Sequence, residues 1–362
     1  MAHNATWQLA QELLIHIVEF LGDSHADLRA CALVSRSFVH AAQSQIFQEI
    51  SVGFGVTSVP HAHRLSTRLL ETLHNSPHLA QHIHRLRLQP RRISSQTLSD
   101  ICSFPFPRLR AMFCSNFILS PVAAIALRQL LALPTLHSVE IVCRDIPQRP
   151  VFIDMWSLCS PSIKHLDFTC DVVLGAFDPP DRLTAPARLT SLRVGNAGAV
   201  RDWVNHPLCP FDFSALTGLS VFIHAEVVHW PKLASIRQNI TVFAFTAHPD
   251  MNVIDLSAFG SLEYLRIGLF SLAAWPTARA ALSTITPLNK IRKIVLLGTF
   301  FGVDGDELDR TLTSLPLHYA RVFELEMEPE YYDRTVASLP STSDIRRTDD
   351  DPHWFKRMTR AL

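Results

Sequence analysis

Glycine is scarce, at 12 of 362 residues, which disfavours folds built on glycine-rich phosphate loops. Long apolar runs are missing as well. The longest uncharged stretch, residues 111–127, is broken by Asn116, Ser120 and Pro121 and is too short for a membrane span. Neither sign of charge is in excess: Lys+Arg and Asp+Glu number 33 each, which argues against a dedicated nucleic-acid or membrane-surface binder. Lysine in particular is rare, 5 against 28 arginines. Codon bias gives such an imbalance without any functional cause. The seven cysteines, Cys31, Cys102, Cys114, Cys143, Cys159, Cys170 and Cys209, include no Cys-x-x-Cys pair, so neither a zinc site nor a disulfide framework is indicated. No secretory signal pattern opens the chain, and a reducing compartment, cytoplasm or nucleus, is the expected location. Gly-x-Ser-x-Gly, Gly-x-Gly-x-x-Gly, P-loop and His-Glu-x-x-His motifs do not occur, so the usual signals of hydrolase, dinucleotide, NTPase and metalloprotease chemistry are lacking.

What the chain does have is core material. Hydrophobic residues make up 48% and charged residues 18%, where about a quarter is usual for a soluble domain. The mean hydropathy is +0.15. Disorder is excluded as the dominant state. The length suggests roughly two to three domains, but a repeat array can absorb hundreds of residues as one unit.

Residues 8–21 carry Leu9, Leu13, Leu14, Ile17, Val18 and Leu21 at helical steps, stopped by Gly22 and Asp23. Ser24 with Asp27 forms a capping-box pattern for a second helix, on which Leu28, Cys31, Val34, Ser35 and Phe38 recur at helical intervals. A third short helix is expected around 39–46, before a strand-like Phe47-Gln48-Glu49-Ile50-Ser51-Val52. A module of this size is too small to bury its apolar stripes fully and needs another surface. That surface is either the rest of the chain, which would make the module a plain helical cap, or a partner. The run Leu9-Ala10-Gln11-Glu12-Leu13-Leu14, with Leu28-x-x-Cys31-x-x-Val34-Ser35-Arg36-x-Phe38 and then Phe47, resembles an F-box. Ala10 stands where that family usually has Pro. The resemblance covers about residues 6–52 and implies a Skp-type adaptor and, through it, a cullin ligase as partners. Leu9, Glu12, Leu13, Ile17, Leu28, Val34, Ser35 and Phe38 would then supply the adaptor contact.

The rest of the chain repeats itself. The frame L-x-x-L-x-L, with apolar substitutions, starts at Ile83, Leu109, Leu136, Ile163, Leu189, Leu216, Ile240, Leu262, Ile291 and Val322. Successive starts are 26, 27, 27, 26, 27, 24, 22, 29 and 31 residues apart, a period that fits leucine-rich repeats. A non-repetitive α/β domain with similar strands is the alternative. The slot that holds Asn or Cys in such repeats carries Phe117, Arg144, Asp171 and Ala197 in four successive units, so the usual Asn ladder is absent and irregularity is expected. The segment from Arg68 to Leu88 resembles the first repeat of the large fungal set in which an F-box precedes divergent leucine-rich repeats. The expected fold is therefore α/β: a three-helix F-box over 6–52, a connecting segment over 53–80, a repeat solenoid over 81–330 with its parallel sheet on the concave face, and a cap or tail over 331–362.

On that face the central outward positions are Arg87, Phe113, Glu140, Asp167, Arg193, Ser220, Ala244, Arg266, Val295 and Glu326. Together with Arg85, the set Arg87, Phe113, Glu140, Asp167, Arg193, Arg266 and Glu326 is the candidate substrate surface. Its ends differ in sign. Residues 61–130 contain nine Arg and only Glu71 and Asp100, a net of +7, whereas Glu324, Glu326, Glu328 and Glu330 cluster at the last frame. A solvated surface with accidental clustering is the plain alternative. His74, His78 and His82 stand at four-residue steps, but Pro77 breaks the register, and surface scatter is preferred to a metal site. Asp304, Asp306, Glu307 and Asp309 lack the spacing of a calcium loop and fit a helix start. The expectation is a non-catalytic substrate receptor of an SCF-type ubiquitin ligase, with no cofactor, no metal, no nucleic acid and no membrane. A non-ligase interaction scaffold is the rival.

Overall fold

The computed structural model describes residues 11–21, 24–55, 58–146, 149–170, 186–195, 204, 209–222, 231–269, 271–298, 305–316, 322–326 and 345–347. Three helices open the chain: α1 (Gln11–Phe20), α2 (His25–Val34) and α3 (Arg36–Ile46). The Asp27 backbone N–H donates to Ser24 Oγ at 3.4 Å, capping α2. The second helix does not run on to Phe38. It stops at Ser35, which is extended (φ −157, ψ 146) and whose Oγ accepts from the Ser37 N–H at 3.1 Å. A serine hydroxyl competes for backbone donors and favours the cap over the helix interior, so the third helix starts at Arg36 rather than 39. Val18, Leu28 and Ala41 form the inner cluster, with Leu21, Phe38 and Ile46 packed against it.

Beyond α3 the chain is dominated by one parallel sheet. Its strands are β1 (Glu49–Val52), β2 (Arg85–Leu88), β3 (Ala111–Ile118), β4 (Ser138–Asp145), β5 (His165–Cys170), β7 (Ser191–Gly195), β9 (Gly218–Phe222), β10 (Val242–Ala247), β11 (Tyr264–Leu269), β12 (Lys293–Gly298), β13 (Val322–Glu326) and β14 (Ile345–Arg347). They lie side by side in that order. The short β6 (Ala187–Arg188) and β8 (Phe211–Asp212) pair separately. The architecture is mixed α/β with a long, sequence-ordered parallel sheet.

Two regularities hold it in step. The first anchor of each frame from Ile83 to Ile291 is buried, at 0–1% exposure, and each is followed by a residue whose backbone joins neighbouring strands. The carbonyl of Gln48 accepts the N–H groups of both His84 and Arg85, and that of His84 accepts those of Arg110 and Ala111. The pattern continues through Arg110, His137, Lys164, Thr190, Thr217, Thr241 and Glu263, nine carbonyls in all, at 2.8–3.2 Å. At Thr190, Thr217 and Thr241 the side-chain hydroxyl adds a third donor to the preceding carbonyl. This backbone ladder fills the role that a buried Asn ladder would have played. A single buried amide, Asn289, adds a local tie by donating to the Leu256 and Phe259 carbonyls, both at 3.0 Å.

The ladder also moves three boundaries. Phe47-x-x-Ile50-x-Val52 is itself a frame, and its strand β1 belongs to the sheet, not to the helical module. β14 extends the sheet past residue 330. The segment expected as a connector contains α4 (Val59–Asn75), the first helix to pack on the sheet, with Ser58 as its cap. Helices are thus not confined to the first three. Further ones are α5 (Ser95–Ser103), α6 (Pro121–Leu131), α7 (Arg149–Trp156), α8 (Pro231–Ala234), α9 (Trp275–Ser283) and α10 (Gly305–Thr313). α5, α6 and α7 pack in succession, their buried faces sharing one core with Leu86, Met112, Val139 and the rest of the inward rows. Among the described residues no helix is long and apolar enough to cross a membrane.

All seven cysteines are thiols outside any disulfide, and only Cys31 is partly exposed. Burial pushes the thiols of Cys159 and Cys209 up to about 12 and about 11, and raises Cys102 and Cys114 further. Buried, protonated thiols are poor nucleophiles. A disulfide reagent at pH 8 should therefore titrate one thiol in the native chain, Cys31, and seven after denaturation. Rapid native reaction of two or more would contradict the buried placement.

Candidate functional site

The sequence points to two surfaces, one on the N-terminal helices and one on the outward face of the sheet. On α1 the apolar residues fall into two adjacent stripes. Leu14, Val18 and Leu21 turn toward α2 and α3. Leu13 and Ile17 stay 50% and 42% exposed, and Phe20 at the next turn is 94% exposed. Leu33 and Val34 at the end of α2 are 88% and 76% exposed. Burying a side chain of this size is worth about 1.5–3 kcal/mol, so five in one small module is a substantial unmet gain.

The expected adaptor residues therefore divide. Leu13, Ile17 and Val34 are available, and Glu12 is exposed beside them. Leu28 is not: at 2% exposure it packs with Val18 and Ala41 in the helices' own core. Phe38 is half-buried against the same cluster, and Ser35 caps α3. Leu9 lies outside the described residues. Ile15, Phe20 and Leu33 were not anticipated. The signal for Phe20 was legible, since 13, 17 and 20 repeat the spacing of 14, 18 and 21.

On the sheet, register joins the expected central positions into one row across neighbouring strands: Arg87, Phe113, Glu140, Asp167, Arg193, Ser220, Ala244, Arg266 and Val295. The row begins at Ser51 and ends through Glu324 to Arg346. Glu326 does not belong to it. It pairs with Leu297, one outward row further along, because the register sets Phe323 opposite Ile294 and Leu325 opposite Leu296.

The row is not uniformly open. Arg85, Arg87, Phe113, Glu140 and Arg193 are exposed or half-exposed. Asp167 and Arg266 are buried, at 8% and 6%, which removes them from the accessible surface. Val242, Tyr264 and Val295 around Arg266 form a buried apolar cluster on this face, and strands 4.7–4.9 Å apart leave little room between such side chains. Arg193 Nη1 reaches Asp167 Oδ2 at 3.5 Å, which fixes the pair along the sheet.

The first strands are the most organised. The Arg87 guanidinium lies 4.8 Å from the Phe54 ring centre and 5.2 Å from that of Phe113, with Nη1 3.4 Å from Glu49 Oε1. Arg85 Nη1 is 3.7 Å from Glu49 Oε2. Two rings and a carboxylate hold Arg87 in one orientation, so it meets a ligand with little rotamer entropy left to lose.

The helical module abuts the rest of the chain where α3 packs on the 3-10 turn Pro77–His82. Pro77 does end the helical register of His74 and His78. His74 Nδ1 bonds the Leu70 carbonyl at 2.7 Å, while His82 is buried with its ring 5.0 Å from that of His40 on α3. Among the described residues no group of His, Cys, Asp and Glu has metal-binding geometry.

Compared with known proteins, the chain matches no protein-family model and no curated protein.

Burial, and then coulombic interaction with His40, His78, Arg108 and His84, hold His82 below the usual histidine range. Burial and Arg110, Arg108 and Arg85 do the same for His84. The neutral forms are favoured in the fold, so their contribution is complete above the unfolded value of 6.5 and is lost as pH falls through the depressed folded values. The melting temperature should drop between pH 7.5 and 5.5. His82→Gln with His84→Gln should flatten that drop; an unchanged slope would refute the assignment.

Proposed function

We propose that the chain is a non-catalytic receptor that bridges two proteins. The N-terminal helices bind a Skp-type adaptor, and the outward face of a leucine-rich-repeat-like array presents a protein target to a cullin-based ubiquitin ligase. The resemblance of residues 9–38 to the F-box pattern supplies the partner class. The observation that carries the reading is the outer stripe of Leu13, Ile17, Phe20, Leu33 and Val34, exposed on a module whose core is already complete with Val18, Leu28 and Ala41. A plain helical cap would turn those side chains onto the sheet. Support for the target face is the exposed beginning of the central row, where Arg85 and Arg87 project from a segment with a net charge of +7 over residues 61–130. Such a surface favours an acidic target segment.

The adaptor reading is tested by capture of the full chain on immobilised Skp-type adaptor. Leu13→Asp combined with Val34→Asp would bury two unpaired charges at the contact and should weaken capture by about 100-fold or more. Both positions are exposed in the free chain, so its melting temperature should stay within about 2 °C of wild type. Failure of the wild type to bind, or equal binding by the variant, refutes the ligase reading. For the target face, Arg85→Glu with Arg87→Glu should reduce target recovery in proximity labelling while leaving adaptor capture unchanged. Undiminished recovery would remove the basic end from the binding surface.

A further inference from the structure

A cavity of about 340 Å³ opens at the C-terminal ends of β2, β3 and β4, away from both surfaces described above. Parallel sheets present ligands at this end of their strands, where the following helices begin. Its walls come from the 3-10 turn Pro90–Arg92, the first turns of α5 and α6, and the last residues of β3 and β4. Arg91 and Arg144 both line it. Neither guanidinium has a hydrogen-bonding or carboxylate partner among the described residues. Ser95 and Ser120, at the starts of α5 and α6, line it too, so two helix N-termini face the same space. Ile93, Leu98, Phe117 and Ala123 complete the lining as an apolar wall.

One residue makes this more than a basic crevice. Asn116 sits in the left-handed region at φ 56, skipped by the register shift between Ser115 and Phe117 in the pairing of β3 with β4. It is the extra residue of a bulge, and bulges of this kind re-aim a side chain beside functional sites. Asn116 lines the cavity, and its Oδ1 is buried with no hydrogen-bond partner among the described residues. A buried acceptor left unmet is costly, and it selects for a ligand that brings a donor.

We propose that this cavity binds a phosphate monoester of a small apolar alcohol. Two guanidinium forks suit phosphate oxygens, and the helix N-termini add to the field. A monoester with a second pKa of about 6 still carries a P–OH near that pH, which can donate to Asn116 Oδ1. An ionised carboxylate offers only acceptors. The apolar wall takes the alcohol portion. The site does not depend on the receptor reading and can stand or fall separately from it.

The probe is phenyl phosphate, titrated calorimetrically into the full chain at pH 6, with inorganic phosphate and benzoate as controls. Saturable binding by phenyl phosphate, at least tenfold tighter than either control, is expected. Arg91→Gln and Arg144→Gln should each weaken it roughly tenfold, as loss of one charge-assisted contact would. Asn116→Asp keeps a residue suited to the left-handed backbone but sets a carboxylate against the phosphate, and should abolish binding. Unchanged melting temperatures for all three variants show that the fold is intact. No saturable heat up to about 10 mM phenyl phosphate, equal affinity for inorganic phosphate or benzoate, or wild-type affinity in the variants would each overturn the proposal.

Discussion

A backbone carbonyl that accepts two N–H groups from the next strand is the contact on which this fold depends. It recurs from Gln48 to Glu263, and from His84 onward directly after a buried anchor. Each such hydrogen bond is worth only about 1 kcal/mol net, but leaving a buried carbonyl unmet costs about 1–3 kcal/mol. The penalty for misalignment therefore exceeds the gain from alignment. Because side chains alternate across a strand, a slip of one residue would exchange inward and outward faces along the whole strand. The repeated carbonyls exclude such slips locally, strand by strand. This explains how the array stays regular although its periods run from 22 to 29 residues between Ile83 and Ile291.

Regular register creates the rows, and the rows determine what each face can do. Inward, Leu86, Met112, Val139, Leu166 and their successors meet the helices in one continuous core. Outward, the same arithmetic sets Arg87 next to Phe113 and Asp167 next to Arg193. The face changes character along its length, from ordered cations on β2 to the dry cluster of Val242, Tyr264 and Val295 on β10–β12. The N-terminal helices follow a different logic: their residues saturate a small interior and leave apolar side chains over.

Nine frames were legible in the sequence because apolar residues at a near-constant period leave few alternatives. The first frame, at Phe47, was hidden because those residues also complete the helical-module pattern. The last was displaced by two residues. In Val322-Phe323-Glu324-Leu325-Glu326 apolar and acidic residues alternate after Val322, so two phases fit the sequence, and only pairing with β12 decides between them. Burial on the outward face was not legible at all. Whether Asp167 or Arg266 reaches solvent depends on neighbours more than twenty residues away, not on its own segment. The division of α1 into an inner and an outer stripe was half-legible: two leucines in sequence, Leu13 and Leu14, point to different surroundings, and periodicity alone assigns both to one stripe. Nothing in the sequence marked Asn116, since a left-handed asparagine looks like any other.

Because neighbours in sequence are also neighbours in the sheet, the chain has an unusual mechanical character. Tension applied at the two ends would load the terminal strands first, and each would peel from the next without disturbing those behind it. Every unit of 26 or 27 residues released from β3, β4 or β5 would lengthen the chain by about 90 Å. The molecule would behave less like a globule that bursts than like a zip that opens tooth by tooth, with the shared carbonyls as its teeth.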